Sequence, residues 1–124
     1  MNAMRLCQSA VVLVLSATPS FADGIPGVWL RDDGKMRVKF DQCGDAVCGT
    51  LVWLKPGAES KAKIGQRVFY EMRPAGANSW TGKASPDGDS VYSGKLSIEG
   101  TTLTTSGCIV GGLICKSANW TRVP

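Results

Sequence analysis

The chain has 124 residues and no histidine. The usual acyl-transfer triads and the commonest metal ligand are therefore absent. The acidic pairs Asp32/Asp33 and Asp87/Asp89 have the spacing of a calcium loop or a glycosidase pair, but each sits in a turn sequence, Asp32-Asp33-Gly34 or Asp87-Gly88-Asp89. Turn chemistry accounts for them. No EF-hand spacing follows, and a carboxylate pair works only inside a cleft. Gly111-Gly112 precedes no helix, which excludes a phosphate cradle. We therefore expect no catalytic residue, no metal site and no cofactor. An enzyme would need a cleft that gathers Tyr92, Lys116 and a carboxylate.

The five cysteines carry the other candidate chemistry. Cys7 belongs to an N-terminal stretch that reads as a secretory leader: Arg5 supplies the positive region, and Leu6 to Ala17 is apolar but too short to span a bilayer. Ser20 and Ala22 are the small residues a signal peptidase reads, which places cleavage between Ala22 and Asp23. Residues 1–22 are the expected leader, and 23–124 the expected single domain. Four cysteines then remain, Cys43, Cys48, Cys108 and Cys115. An even count in an exported chain implies disulfides, which remove the thiol nucleophile. The paired short knuckles of a zinc site are missing.

The precursor carries 14 basic and 10 acidic residues, and losing Arg5 leaves a net charge of +3. That permits contact with anionic glycans or lipid head groups. The basic residues are scattered and the compartment is wrong for nucleic acid. No later segment is apolar enough to be a transmembrane span.

The elements that must position these residues are strands. Helical periodicity is missing after residue 22, and β-branched and aromatic residues cluster between glycine turns. Strands are predicted over 27–31, 35–42, 48–54, 67–73, 80–85, 90–98, 102–110 and 113–123. Short links between neighbours give an all-β antiparallel meander. The exception is 55–66, a Lys/Ala/Gly-rich segment expected to be a mobile loop.

The hairpins can be registered. A two-residue Gly111-Gly112 turn sets Cys108 opposite Cys115 and puts Ile109, Ile114, Gly107, Lys116, Thr105, Ala118, Leu103 and Trp120 on the core face. A four-residue loop over Gly44 to Val47 sets Cys43 opposite Cys48, Phe40 opposite Leu51 and Val38 opposite Trp53. Opposed residues lie within disulfide reach. Of three connectivities, Cys43–Cys48 with Cys108–Cys115 is the expected one, with both bridges outside and acting as register locks.

A Glu99-Gly100 turn and an Asp87-Gly88-Asp89 loop extend the registers into rows. The expected rows are Trp80, Leu96, Leu103, Trp120, then Gly82, Gly94, Thr105, Ala118, then Ala84, Tyr92, Gly107, Lys116. The small middle row leaves space. Either Phe40, Trp53 or Phe69 from the facing strands fills it, or it is a ligand pocket walled by Trp80 and Trp120 with Tyr92 and Lys116 at one end.

Several motifs together resemble a known family. They are Cys43-Gly44-Asp45-x-x-Cys48-Gly49 with Trp53, then Trp80-x-Gly82, then Gly107-Cys108-x-x-Gly111-Gly112-Leu113-x-Cys115, and finally Trp120-Thr121-Arg122. The chain is similar to the exported bacterial proteins grouped as domain of unknown function 2147. The resemblance implies a lipocalin-like, up-and-down β-barrel of about eight strands, a periplasmic or secreted location and no established activity. Gly27-x-Trp29 and Arg122 also look like the lipocalin pair that closes the barrel, an N-terminal tryptophan packed beneath a C-terminal basic residue. The family usually carries a longer Asp/Asn/Pro-containing stretch where this chain has residues 55–66.

These readings converge on an exported, non-catalytic barrel that binds a small apolar or anionic ligand. The alternative is an envelope module with a filled core. It would bind anionic envelope components through the 55–67 basic loop, where Lys55, Lys61, Lys63 and Arg67 stand against Glu59.

Overall fold

Eight runs rich in β-branched and aromatic residues form eight strands: β1 (Gly27–Arg31), β2 (Met36–Cys43), β3 (Ala46–Leu54), β4 (Arg67–Pro74), β5 (Ser79–Ala84), β6 (Tyr92–Glu99), β7 (Thr102–Ile109) and β8 (Ile114–Arg122). This computed structural model describes residues 24–109 and 113–124. The expected leader, its cleavage between Ala22 and Asp23, and the Gly111-Gly112 turn lie outside those residues. Each strand pairs antiparallel with its sequence neighbours, and β8 returns to β1, giving a closed barrel. Closure leaves no unpaired sheet edge.

The up-and-down order sorts the connections to two ends. The β2–β3, β4–β5 and β6–β7 turns share one end with both termini of the barrel. The β1–β2, β3–β4, β5–β6 and β7–β8 connections share the other. The first end is closed. Ile25 and Trp29 are fully buried there, and the Trp29 indole N–H donates to the Ile25 carbonyl at 2.9 Å. Trp29 pairs with Arg122 in the β1–β8 ladder. The Arg122 guanidinium lies 4.4 Å from the Trp29 ring centroid and donates to the carbonyls of Pro26, at 2.6 Å, and of Gly24. Gly27 makes this possible. Its φ is +126°, and a Cβ there would stand 2.6 Å from the Arg122 guanidinium. Val38, Phe40, Leu51, Met72, Leu96 and Leu103 fill the barrel behind this plug.

Both disulfides form between the expected partners. Cys108 stands opposite Cys115, and the whole β7–β8 register agrees with the sequence reading. The first hairpin differs. A two-residue turn at Gly44-Asp45, with Gly44 at φ +66°, opposes Cys43 to Ala46 and Cys48 to Asp41. The bridge therefore runs diagonally, with Cα atoms 5.9 Å apart. Phe40 faces Gly49 and Val38 faces Leu51, where Leu51 and Trp53 were expected. A bulge between Arg37 and Val38 then sets Trp53 opposite Arg37, whose guanidinium lies 4.9 Å from its ring. Trp53 is thus no interior filler, whereas Phe40 and Phe69 are, with ring centroids 5.6 Å apart.

The β6–β7 register also differs. The turn is Gly100-Thr101, so Leu103 opposes Ile98 and Thr105 opposes Leu96. The rows become Ile98, Leu103, Trp120, then Trp80, Leu96, Thr105, Ala118, then Gly82, Gly94, Gly107, Lys116. Three glycines now lie side by side, for two reasons. At Gly82 the β4 bulge, with Glu71 at φ +54°, presses its backbone against the strand, so a Cβ would collide with the Glu71 carbonyl. At Gly107 a Cβ would find only ordinary contacts at 3.7 Å, because open space lies beyond.

Two expectations follow for urea unfolding. Arg122→Ala should cost about 2 kcal/mol, from the lost cation–π contact and charge-assisted hydrogen bonds. Arg122→Lys should recover only part, since an ammonium cannot reproduce the fork. A change under about 0.5 kcal/mol for the alanine variant, the size of an ordinary surface substitution, would rule out the strap. Among the glycines, Gly82→Ala should cost about 2 kcal/mol from overpacking. Gly107→Ala should be neutral or slightly stabilising. Equal costs would contradict the distinction.

Candidate ligand-binding site

The interior is not filled to the second end. A cavity of about 640 Å³ opens there. Leu51, Val68, Phe69, Ala84 and Trp120 supply apolar wall, and Ile109 and Ile114 stand at its lip. The two isoleucines lie on the expected core face but are largely exposed, because the barrel beneath them is open.

The polar groups are few. The Trp120 indole N–H donates to the Thr105 hydroxyl at 2.9 Å, which satisfies both buried groups and fixes the ring. Arg31, paired with Trp120 across the β1–β8 seam, reaches the mouth. It pairs with Asp33 at 2.7 Å. The Arg31 guanidinium beside Asp33, with an added hydrogen bond from the Lys35 backbone N–H, holds that carboxyl below the usual carboxylate range. Lys116 is different. It stands on the inward face of β8 opposite Gly107 and lines the cavity. Among the described residues it has no carboxylate partner. The Cys108–Cys115 bridge lies one residue away, on the outer face, and fixes the hairpin that carries it.

The four residues expected to form a pocket are thus divided. Tyr92, Lys116 and Trp120 line the cavity. Trp80 is buried behind the wall in the row of Leu96 and Thr105, and its indole N–H meets no acceptor. The two tryptophans do not share a row. The Gly100-Thr101 turn shifts the β6–β7 pairing by two, which moves Trp80 into the row of Thr105 and Ala118 and away from Trp120.

Two contributors were not anticipated. Arg31 shares the alternation of Gly27 and Trp29, so its place on the inward face was readable from β1. Ala62 had no such signal. The 55–66 segment, expected from its composition to be a mobile loop, is seated on the barrel. Ala62 is buried in the core cluster and lines the cavity. The Leu51 amide donates to the Gln66 carbonyl at 2.9 Å, and the Gly65 amide to the Leu51 carbonyl at 2.8 Å, which tie the segment to β3.

The acidic turns do what turn chemistry requires. The Asp87 carboxylate accepts from the backbone N–H groups of Ser90, at 2.8 Å, and Asp89, at 2.9 Å. These bonds hold its carboxyl below the ordinary value. Among the described residues no cluster of three or more His, Cys, Asp or Glu side chains could hold a metal. No helix there is long and apolar enough to cross a membrane.

Comparison with known proteins gives the fold a setting. The chain is similar to a solved structure from Helicobacter pylori, protein HP1028, described as belonging to the lipocalin family. The TM-score is 0.64, with 16% identity over 81% of this chain and 83% of that one. At that identity the likeness is one of fold. No curated protein matches the chain. The family described as "Uncharacterized protein conserved in bacteria (DUF2147)" matches residues 27–122, which is the whole barrel from β1 to the end of β8, and the chain belongs to that family.

Proposed function

We propose that this protein is an exported, non-catalytic binder of a small amphiphile, taken up through the open end with its apolar part inside and its anionic group at Lys116. One observation carries this reading: the interior stops short of one end, and the unfilled half has apolar walls with a cation, Lys116, that has no carboxylate partner among the described residues. About 640 Å³ falls in the range of small-molecule sites. Close packing is the rule in interiors, so a void this large in a small domain calls for an occupant. The two disulfides and the leader-like N-terminus support export.

The filled-core alternative loses its premise, since Phe40 and Phe69 leave the upper half open. The enzyme reading gains a cleft with Tyr92, Lys116, Asp32 and Asp33 on its lining. Asp33, however, is held as an anion by Arg31, which makes it a poor proton acceptor near neutral pH.

Dodecanoate and dodecanol are suitable probes, measured by displacement of a fluorescent fatty-acid analogue. Lys116→Met should weaken dodecanoate binding about tenfold, the loss of one charge-assisted hydrogen bond, and leave dodecanol unaffected. Gly107→Leu should weaken both by intruding on the void, with unfolding stability retained. No binding of either probe by the native protein, or undiminished binding by Gly107→Leu, would overturn the proposal.

A further inference from the structure

The large exposed apolar residues are not scattered over the surface. Among the described residues, Leu113 is 81% exposed, Ile64 62%, Val91 56%, Ile114 56% and Ile109 37%. All five lie in the connections at the open end or at the strand tips that carry them. Val52, the remaining one, is on β3 two residues from the same end. The closed end has no counterpart among the described residues. Single exposed aliphatic side chains are ordinary. A set that collects on three separate connections around one opening is not.

Charge falls on the same end. Lys55, Lys61, Lys63 and Arg67 flank Ile64, with Glu59 as the segment's one acid, and Lys116 stands beside Ile114. None of these four basic residues of the 55–67 segment has an ion-pair partner among the described residues. Asp32 and Asp33 on the β1–β2 connection and Asp87 and Asp89 on the β5–β6 connection stand on either side, so the basic cluster is the β3–β4 segment between them.

We propose that the open end docks on the interface of an anionic lipid bilayer. Leu113, Ile114, Ile64 and Val91 would enter the acyl boundary, and Lys55, Lys61 and Lys63 would lie at the head groups. The pattern suits a bilayer better than a protein partner. The exposed apolar groups are all aliphatic and are spread over three connections, without the aromatic anchors that protein interfaces use. Basic residues around apolar tips match an anionic interface, whose attraction per lysine is additive and falls off within a Debye length. The placement rests on the amphiphile reading for its purpose, since a docked mouth exchanges ligand with the bilayer without exposing it to water. Its test is independent of that reading.

The full mature chain, with both disulfides intact, is spun down with sucrose-loaded vesicles. One set is equal parts phosphatidylglycerol and phosphatidylcholine, the other phosphatidylcholine alone. Binding is expected to the first set at low salt and to fall at least about tenfold on the second or in about 0.5 M salt. Ile64→Ser with Leu113→Ser should lower binding at least about tenfold, and Lys61→Glu with Lys63→Glu by a similar factor. Both double variants should retain dodecanoate binding in solution, whereas Gly107→Leu should weaken dodecanoate binding and keep the vesicles. Three results would overturn the docking: no sedimentation of the native protein with either set, no effect of either double variant, or a dimer in solution that the Ile64/Leu113 variant dissolves. A failure of dodecanoate alone would remove the amphiphile reading and leave the docking standing.

Discussion

One contact makes this chain a barrel and not a curled sheet. Arg122, at the end of the last strand, lies over Trp29 in the first and donates to the carbonyls of Gly24 and Pro26 that lead into it. The seam's ladder is short, running only from Trp29–Arg122 to Arg31–Trp120. It is also the place where loop-closure entropy is greatest, because it joins the two ends of the fold. A cation held by a ring and two carbonyls is suited to that position. Its geometry is fixed by several partners, and Gly27 gives it room.

From the seam the molecule divides into two halves with opposite design. Around the plug of Ile25 and Trp29, buried apolar side chains pack the closed half and supply the stability. At the other end the strands run past the core, Gly107 leaves its stretch of wall without a side chain, and Lys116 takes an inward position. Those are unfavourable choices for stability alone. Gly107 in particular could carry a methyl group at no steric cost. Residues that forgo packing in one place, while the rest of the barrel packs to completion, mark the part of the structure shaped by something other than folding.

What the sequence disclosed follows the period of two. Eight strands, their order, both cysteine pairings and the inward face of the last hairpin all came from alternation and turn glycines, although only Cys108–Cys115 lies at the surface and Cys48 of the other bridge is buried. Both errors of register are shifts of two in the pairing: Cys43 opposes Ala46 instead of Cys48, and Leu103 opposes Ile98 instead of Leu96. A shift of two leaves every side chain on its own face, so hydrophobic pattern cannot detect it. Only the turn decides, and Gly44-Asp45 and Gly100-Thr101 were each one placement among several. The bulges at Arg37 and Glu71 change faces locally, which is why Trp53 left the interior without a sign in the sequence. The site shows the same division. Lys116, Tyr92 and Trp120 were legible as inward residues, and Arg31 was legible but overlooked. Trp80 was set beside Trp120 by the same β6–β7 register error; in the observed pairing it is buried next to Leu96, off the cavity lining. Ala62 comes from an irregular segment whose composition gave no hint that it would seat in the mouth.

The central claim is that the open half of the barrel holds a ligand in the cell. Native mass spectrometry of the protein, purified from the bacterial envelope without refolding, tests it most directly. A discrete added mass on the native chain, released by organic solvent and diminished in Gly107→Leu prepared in parallel, is the expected result. A bare polypeptide mass for the native chain, or an undiminished added mass on that variant, would contradict it.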